Sequence, residues 1–340
     1  MKEPFAPNEL KIAVIGGGTG SFTLLSSLKD HTSRIAALVN MADDGGSTGV
    51  LRDELGVLPP GDVRQCLVAL SRTPEIRDLF NYRFEEGTLK GHAFGNLFLT
   101  ALEKMNGDFA SAVEEASNVL NIVGTVAPIT LTNVHLAMKN ADGDVTRGEF
   151  KIATTDFNGQ KPEMWLEPDA EANPVALRAI EKADMVVIAP GNLYGSLAPA
   201  LIVPGIGDAL RASKALKVYV SNLVTKPGQT DGFSVSDFAA EVERLAGGPF
   251  LDAVLYNTEL PNASLLEKYA KEGEHSVAID DDTLNGAHYV AIGTNLIAQS
   301  TWHNRSGVAD PLAAHRTLIR HDSGAVANAL MDAYERIRPQ

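Results

Sequence analysis

The chain of 340 residues contains one cysteine, Cys66. A single cysteine excludes an intrachain disulfide and a zinc site built on several cysteines, and it fits a reducing compartment. Because Val63, Leu67 and Leu70 stand around it at helical spacing, we expect the thiol to be a small buried apolar group.

Long apolar runs and basic charge are also scarce. No stretch of about 18 apolar residues occurs, and the N-terminus MKEPFAPNEL lacks the layout of a signal peptide, so we expect a cytoplasmic protein with no membrane partner. The 29 Lys and Arg against 43 Asp and Glu give a formal net charge of −14. This charge argues against nucleic acid as the main partner, but one helix N-terminus and one or two arginines suffice to hold a small phosphate-bearing ligand.

The order of secondary-structure signals predicts an α/β fold. KIAVIGGGTGS is an apolar run that ends in glycines, SFTLLSSLKD has helical spacing, and RIAALVN reads as a second buried strand. This order opens a Rossmann-like, doubly wound, mostly parallel sheet with helices on both faces. A period of two around NADGD predicts a β-hairpin insertion.

We expect one large domain over residues 1–340. Its nucleotide-binding core would comprise about 11–130 and 183–260, and the hairpin insertion about 124–155. A closing helix at about 322–338 would begin after Asp322 as its cap.

Two glycine-rich turns follow predicted strands. The first, at 16–21, meets the dinucleotide pattern G-x-G-x-x-G at Gly16 and Gly18 but not at Ser21, and it lacks the Lys of a Walker A loop. We interpret it as a phosphate-binding turn of unspecified type; the alternative is a tight turn that binds nothing. The second, at 190–196, would by itself be a helix-capping turn, but the two together predict one shared cleft.

The connection MADDGGSTGVLRDELGVLPPGDVRQC combines many charges with many backbone breakers. Asp43 and Asp44 stand at the end of the second strand, where they could hold Mg²⁺ through waters or bind sugar hydroxyls; the alternative is loop and cap carboxylates. Arg52 and Arg64 could balance them or reach a phosphate. We expect a loop that turns over the cleft and enters a helix near Gly61.

Other polar residues fall near predicted strand ends or helix starts. These are His92 and Asn96, four apart on one face of a helix start, Asn222 and Thr225 after KVYVS, and Arg320 before the closing helix. No serine-hydrolase elbow, kinase signature or Cys–His nucleophile pattern occurs. The residues alone therefore leave a ligand-binding regulator and an enzyme equally open.

Taken together, six stretches carry a family resemblance. They are AVIGGGTGS, MADDGGSTGVLRDELGVLPPGDVRQCLVALS, GHAFGNLFLTAL, APGNLYGSLAPALIVPGI, VYVSNLVTKPGQTDGFSVSDF and LIRHD, in this order. The sequence resembles the gluconeogenesis factor family (YvcK-like or GlmR-like), within the wider CofD-like group of 2-phospho-L-lactate transferase. The resemblance extends from about Lys11 to the last helix.

The resemblance implies a cytoplasmic bacterial protein that binds a nucleotide sugar, UDP-N-acetylglucosamine (UDP-GlcNAc) or UDP-glucose. Family members link gluconeogenic carbon flow to cell-wall precursor synthesis and cell shape. An enzyme of cell-wall precursor synthesis and a Ser/Thr kinase are the implied protein partners, and a homo-oligomer stays open. No cofactor is required, and Mg²⁺, if bound, would be held by Asp43 and Asp44.

The motifs place the ligand-binding residues in the two turns, in the charged connection and at a few outlying positions, and they assign no catalytic residue. The expected residues are Gly17, Gly18, Thr19, Gly20, Asp43, Asp44, Asp62, Arg64, His92, Asn96, Gly191, Asn192, Leu193, Tyr194, Asn222, Thr225 and Arg320. The chain departs from the family pattern at 192–195, Gln229 and Phe238. These departures bear on sugar or base preference and on any acid–base role of position 238.

We favour a nucleotide-sugar-binding regulator without turnover, because the charged connection resembles the YvcK branch over its whole length. The alternative is an Mg²⁺-dependent CofD-like transferase that moves a phospholactyl-type group from a guanosine diphosphate donor. An NAD-dependent dehydrogenase is weaker, since the glycine spacing is imperfect and no hydride-transfer residues are visible.

Overall fold

The structure is a computed structural model that describes residues 9–140, 143–298 and 319–337. Its strands in these ranges form two sheets. They are β1 (Ile12–Gly16), β2 (Ile35–Val39), β3 (Thr125–Pro128), β4 (His135–Lys139), β5 (Val145–Arg147), β6 (Glu163–Glu167), β7 (Met185–Ile188), β8 (Leu216–Val220), β9 (Ala253–Asn257) and β10 (Val290–Thr294).

The larger sheet has seven strands in the order β10-β9-β8-β7-β1-β2-β3. Every neighbouring pair in it is parallel. In the smaller sheet, β4 pairs antiparallel with both β5 and β6. The predicted Rossmann-like α/β fold is therefore confirmed.

Fourteen α-helices occur in the described residues, and a π-helical turn (Leu193–Leu197) precedes the ninth. The helices are α1 (Gly18–Leu28), α2 (Gly46–Leu55), α3 (Pro60–Leu70), α4 (Pro74–Asn81), α5 (Phe94–Asn106), α6 (Phe109–Val119), α7 (Glu149–Ile152), α8 (Pro174–Lys182), α9 (Ala198–Leu201), α10 (Ile206–Ala212), α11 (Val235–Leu245), α12 (Ala263–Lys271), α13 (Asp281–Asn285) and α14 (Ser323–Ile337).

Alternation along the buried strands gives the sheet two apolar faces. In β1, Ile12 and Val14 join the core beneath α1, α3, α5, α6 and α14. Ala13 and Ile15 join the opposite core, which lies beneath α8, α10, α11 and the small sheet. Successive strand side chains point to opposite faces, so helices cover both sides, as predicted.

The charged connection contains a helix that the sequence analysis did not predict. Instead of a loop over the cleft, α2 begins after Gly45 and ends at Gly56, whose φ of +63° suits glycine at a helix C-terminus. The helix buries Leu51 and Arg52, and Arg52 Nε donates to the Asn133 side chain at 2.8 Å. Tertiary packing therefore outweighs the low helix propensity of its glycines.

The structure also corrects the bounds of the insertion. The segment predicted to start at about 124 begins with β3, which pairs with β2 in the main sheet. The antiparallel sheet extends past 155 to β6, because β4 needs a partner on each side. At the chain end, Asp322 accepts the N–H of Ala325 at 2.8 Å and caps α14, as predicted.

No single helix among the described residues is long and apolar enough to cross a bilayer. Leu193–Leu201 and Ile206–Ala212 reach that length and composition only together, as a pair bent by 74°. Leu197, Leu201 and Ile206 of this pair are buried in the core.

The contact of α1 with the sheet can be tested by truncating Leu25, whose side chain is fully buried. Leu25→Ala should lower the free energy of unfolding by about 2–5 kcal/mol, because it removes buried apolar surface and leaves a cavity. The matched control is Leu79→Ala on α4, since Leu79 is 49% exposed. Urea unfolding followed by circular dichroism measures both, and equal losses would contradict the assigned packing.

Candidate functional site

The topology places a crevice between β1 and β7. From β1 the chain passes through α1 to β2 on one side, whereas from β7 it passes through α10 to β8 on the other side. Open α/β sheets bind ligands at such a reversal, outside the carboxyl ends of the strands. Both predicted glycine turns lie there, one after each strand.

The two turns touch each other. A Cβ at position 20 would lie 1.6 Å from the carbonyl oxygen of Pro190, so only glycine allows the approach. The first turn leads directly into α1, which begins at Gly18 and has no side-chain cap. N–H groups of its first turn therefore face the crevice, where an anion is favoured.

A carboxylate of the protein lies against the first turn. A Cβ at Gly18 would lie 2.5 Å from Asp62 Oδ1, and the N–H of Gly18 favours the charged form of Asp62. Asp62 lies in the first turn of α3 but does not cap it, because α3 begins at Pro60 with Pro59 as N-cap. Its side chain is directed at the start of α1 instead.

The second turn is held by two asparagines. The Asn192 side chain accepts the N–H of Gly195 at 3.2 Å and caps the π-helical turn. Asn222 Nδ2 donates to the carbonyl of Gly191 at 2.7 Å, and Asn222 Oδ1 accepts the Tyr219 hydroxyl at 3.1 Å. Asn222 therefore positions the turn.

Two residues predicted in the second turn direct their side chains elsewhere. Leu193 and Tyr194 are buried in the core, and the Tyr194 ring meets Phe157 edge-on at 4.9 Å. Both side chains of this π-helical turn are buried in the core, so only their backbone is available to the crevice.

The aspartate pair divides into two different roles. Asp44 accepts the N–H groups of Glu149 and Phe150 at 3.0 and 2.8 Å, so it caps α7 from a distant part of the chain. Asp43 Oδ1 accepts the N–H of Gly45 at 3.0 Å. For Asp44, the structure therefore supports the alternative interpretation as a helix-capping carboxylate.

Asp43, Asp62 and Glu149 form an acidic cluster at the crevice. All three are partly buried. Burial raises the pKa of Asp43, and nearby Asp44 raises it further. Burial, followed by the charges of Asp43 and Glu149, raises the pKa of Asp62 well above its usual range.

Glu149 lies on the opposite wall of the crevice from Asp62. Its carboxylate contacts Gly195 of the second turn closely, since a Cβ there would overlap Oε1. Burial and the charges of Asp43 and Asp44 raise the pKa of Glu149 to about 7, although Lys226 opposes this. Glu149 therefore remains partly protonated near pH 7, and the carboxylates of the cluster can accept hydrogen bonds from ligand hydroxyls.

These acids do not fit a resident metal centre. Among the described residues, no group of three or more His, Cys, Asp or Glu side chains is placed to hold a metal ion. Asp44 is occupied by two backbone N–H groups, so the Asp43–Asp44 pair does not offer Mg²⁺ two free carboxylates.

Arg64, His92 and Asn96 belong to one polar network. Arg64 Nε donates to Asn96 Oδ1 at 2.9 Å, and Asn96 Nδ2 donates to Ser47 Oγ at 3.2 Å. Ser47 Oγ also lies 3.0 Å from His92 Nδ1. The network joins α2, α3 and the start of α5, and His92 precedes α5 instead of sharing its face.

Thr225 lies on the segment that follows β8. Arg320 lies on a later segment that contacts the end of β8 through its neighbour His321. The buried Thr225 hydroxyl accepts the N–H of His275 at 3.1 Å, so it serves backbone pairing. Next to Arg320, His321 Nε2 donates to the Ser221 carbonyl at 3.1 Å, and burial lowers the pKa of His321 to about 4.

The sequence of this chain is similar to those of known proteins over most of its length. The model of the 2-phospho-L-lactate transferase CofD family matches residues 12–297. The gluconeogenesis factor of Bacillus subtilis is 38% identical over 326 residues, which are 95% of this chain and 97% of that protein. A relative from Clostridium acetobutylicum is 41% identical over 326 residues, 95% of this chain and 69% of its own length.

The chain belongs to the gluconeogenesis factor family. A solved structure from Bacillus halodurans agrees, with a TM-score of 0.85 and 38% identity over 95% of this chain and 99% of that one.

In this member of the gluconeogenesis factor family, two departures from the family pattern have structural explanations. Phe238 is buried on α11 and meets Phe233 edge-on at 5.3 Å, so position 238 has no acid–base group. Gln229 Nε2 donates to the carbonyls of Ile152 and Thr155, and it ties the end of α7 to the loop after β8.

Three residues near the crevice were not predicted. Ser47 links His92 to Asn96, Glu149 completes the acidic cluster, and the 61% exposed Phe150 lies beside Asp44. The only sequence signal for Glu149 and Phe150 is the stretch RGEF just after the hairpin. Both residues are distant along the chain from Asp43 and Asp44, so nothing in the sequence alone groups them with that pair.

The raised pKa of Glu149 predicts a pH-dependent stability. Folded Glu149 keeps its proton to a higher pH than the unfolded chain, so the free energy of unfolding falls between about pH 4.5 and 7. Glu149→Gln removes this loss. It should match the wild type near pH 4.5 and exceed it above pH 7, by on the order of 1–3 kcal/mol.

Urea unfolding at several pH values measures this difference. Glu114→Gln, at an exposed glutamate on α6, is the matched control and should follow the wild type throughout. A constant difference between Glu149→Gln and the wild type from pH 4.5 to 8 would argue against the acidic cluster.

Proposed function

We propose that this protein binds a nucleotide sugar, UDP-GlcNAc or UDP-glucose, and acts as a regulator without turnover. The observation that carries the proposal is the contact of the two glycine turns at the β1–β7 crevice. A nucleotide diphosphate needs backbone N–H groups and close approach of the chain, which this junction offers.

The backbone N–H groups and the carboxylates of the crevice together favour a ligand with both phosphates and hydroxyls. Phosphates belong at the N–H groups of Thr19 and Gly20, because Asp62 already lies beside Gly18. Asp43, Asp62 and Glu149 would repel phosphate but accept hydrogen bonds from ribose or sugar hydroxyls. A nucleotide sugar meets both requirements in one molecule.

The name of the relatives, gluconeogenesis factor, supports a role in carbon metabolism. We propose that ligand binding in the cytoplasm couples carbon supply to cell-wall precursor synthesis and cell shape. An enzyme of that synthesis and a Ser/Thr kinase are the proposed protein partners, with self-association as a further proposal.

A CofD-like transferase is the second candidate, because the matching family model is that of an enzyme. Bound Mg²⁺ would offset the charge of a diphosphate donor in such a reaction. The observed carboxylates do not fit that ion, so no step through it is derived.

Ligand identity can be tested by calorimetry with UDP-GlcNAc, UDP-glucose, GDP and NAD, with mass spectrometry of each mixture. The proposal expects UDP-sugars to bind and to keep their mass. Release of a guanine nucleotide in the presence of a deazaflavin acceptor would favour the transferase, and exclusive binding of NAD would favour a dehydrogenase.

The site is tested by Gly191→Val in the second turn. A Cβ at position 191 would meet nothing closer than 3.6 Å, so we expect the fold to tolerate the change. The added methyl groups should crowd the ligand and weaken UDP-GlcNAc binding at least tenfold. Gly286→Val, where a Cβ would lie 3.8 Å from its nearest neighbours, is the control outside the crevice.

Calorimetry and thermal melting of both variants decide the outcome. Unchanged UDP-GlcNAc affinity in Gly191→Val would place the ligand elsewhere. An equal loss of affinity in both variants would show that the effect is not specific to the crevice.

A further inference from the structure

A second polar cavity lies at the other end of α1. The helix starts at the carboxyl edge of the sheet and ends at Leu28, near the amino edge. There the ends of α1 and α3 and the start of α4 surround a cavity of about 490 Å³. It is lined by Lys29, Asp30, Ser33, Ser71, Arg72 and Arg77.

This cavity gathers three cations and one carboxylate in a chain whose net charge is −14. Within the described ranges, no carboxylate lies within ion-pair distance of Lys29, Arg72 or Arg77; the ion pairs found there join other residues. Asp30 offsets only part of the charge of the three cations, which still repel each other, so an anion between them would be favoured.

Hydrogen bonds to the backbone hold the side chains of Lys29 and Ser71 in place in the wall of the cavity. Lys29 Nζ donates to the carbonyls of Ala69 and Ser71 at 2.7 and 2.9 Å. Ser71 Oγ donates to the Leu120 carbonyl at 2.7 Å, which anchors the turn between α3 and α4. Lys29 is thus fixed at the end of α3.

The hydrogen bonds to carbonyls at the end of α3 explain why Lys29 lies here, but they do not explain the presence of the two arginines. Arg72 is exposed, and Arg77 Nε is buried with no hydrogen-bond partner in the described residues. A buried donor without a partner is unfavourable unless a water, an ion or a ligand accepts a hydrogen bond from it. Burial lowers the pKa of Lys29, and Arg77 and Arg72 lower it further although Asp30 opposes them, which reflects the same repulsion.

We propose that this cavity is a second ligand site, which binds a small phosphorylated anion with two or more negative charges. The planar guanidinium groups of Arg72 and Arg77 suit paired phosphate oxygens, and Lys29 adds a point charge. The volume is in the range of small-molecule sites, which favours a metabolite over a flat protein contact. This site is separate from the crevice and goes beyond the proposed nucleotide-sugar binding.

Calorimetry of the full chain with sodium pyrophosphate, in chloride buffer at constant ionic strength, tests the proposal. We expect saturable binding that weakens at least tenfold in Arg72→Gln and in Arg77→Gln. Arg178→Gln is the matched control, because Arg178 is an exposed arginine on α8, across the sheet. Arg72 is exposed, so its variant should fold even if Arg77→Gln does not.

The proposal would be overturned by no pyrophosphate binding, by unchanged affinity in Arg72→Gln, or by the same loss in Arg178→Gln. Displacement of pyrophosphate by saturating UDP-GlcNAc would also overturn it, because both would then occupy the crevice. UDP-GlcNAc titrations of the same preparations report separately on the crevice, so failure of one site is distinguishable from failure of the other.

Discussion

The close contact between the first glycine turn and the Pro190 carbonyl organises this molecule. It joins the turn after β1 to the turn after β7 at the point where the chain reverses its direction across the sheet. Asp62 then packs on the first turn and Glu149 on the second. The crevice, its exposed N–H groups and its acidic wall all depend on this junction.

The acidic wall shows how a carboxylate can serve the fold and the site at once. Asp44 caps α7 with both oxygens, and this bond pair brings Glu149 to the crevice from the small antiparallel sheet. Asp43 and Asp62 remain directed at the crevice, where burial and the repulsion of neighbouring carboxylates raise the pKa of each. The stability lost by gathering these charges is of the kind that binding sites commonly retain.

Local signals in the sequence predicted the parallel sheet, the two turns and the cap of α14, since strand runs, glycines and cap residues act over a few positions. Asp44 was ambiguous because its partners, Glu149 and Phe150, are distant along the chain. Helix α2 was missed because Gly45, Gly46 and Gly49 lower local helix propensity, which burial of Leu51 and Arg52 overcomes. The inward direction of Tyr194 depends on a π-helical winding that no spacing rule reveals.

The pairing of β1 with β7 has a consequence for how the chain acquires its structure during synthesis. The N–H of Lys11 binds the Asp184 side chain across 173 positions, and Ile12 pairs with Met185 at the same separation. A ribosome must therefore complete more than half of the polypeptide before β1 has both neighbours. Until then β1 has an open edge, and a nascent chain that stops before β7 lacks one wall of the crevice.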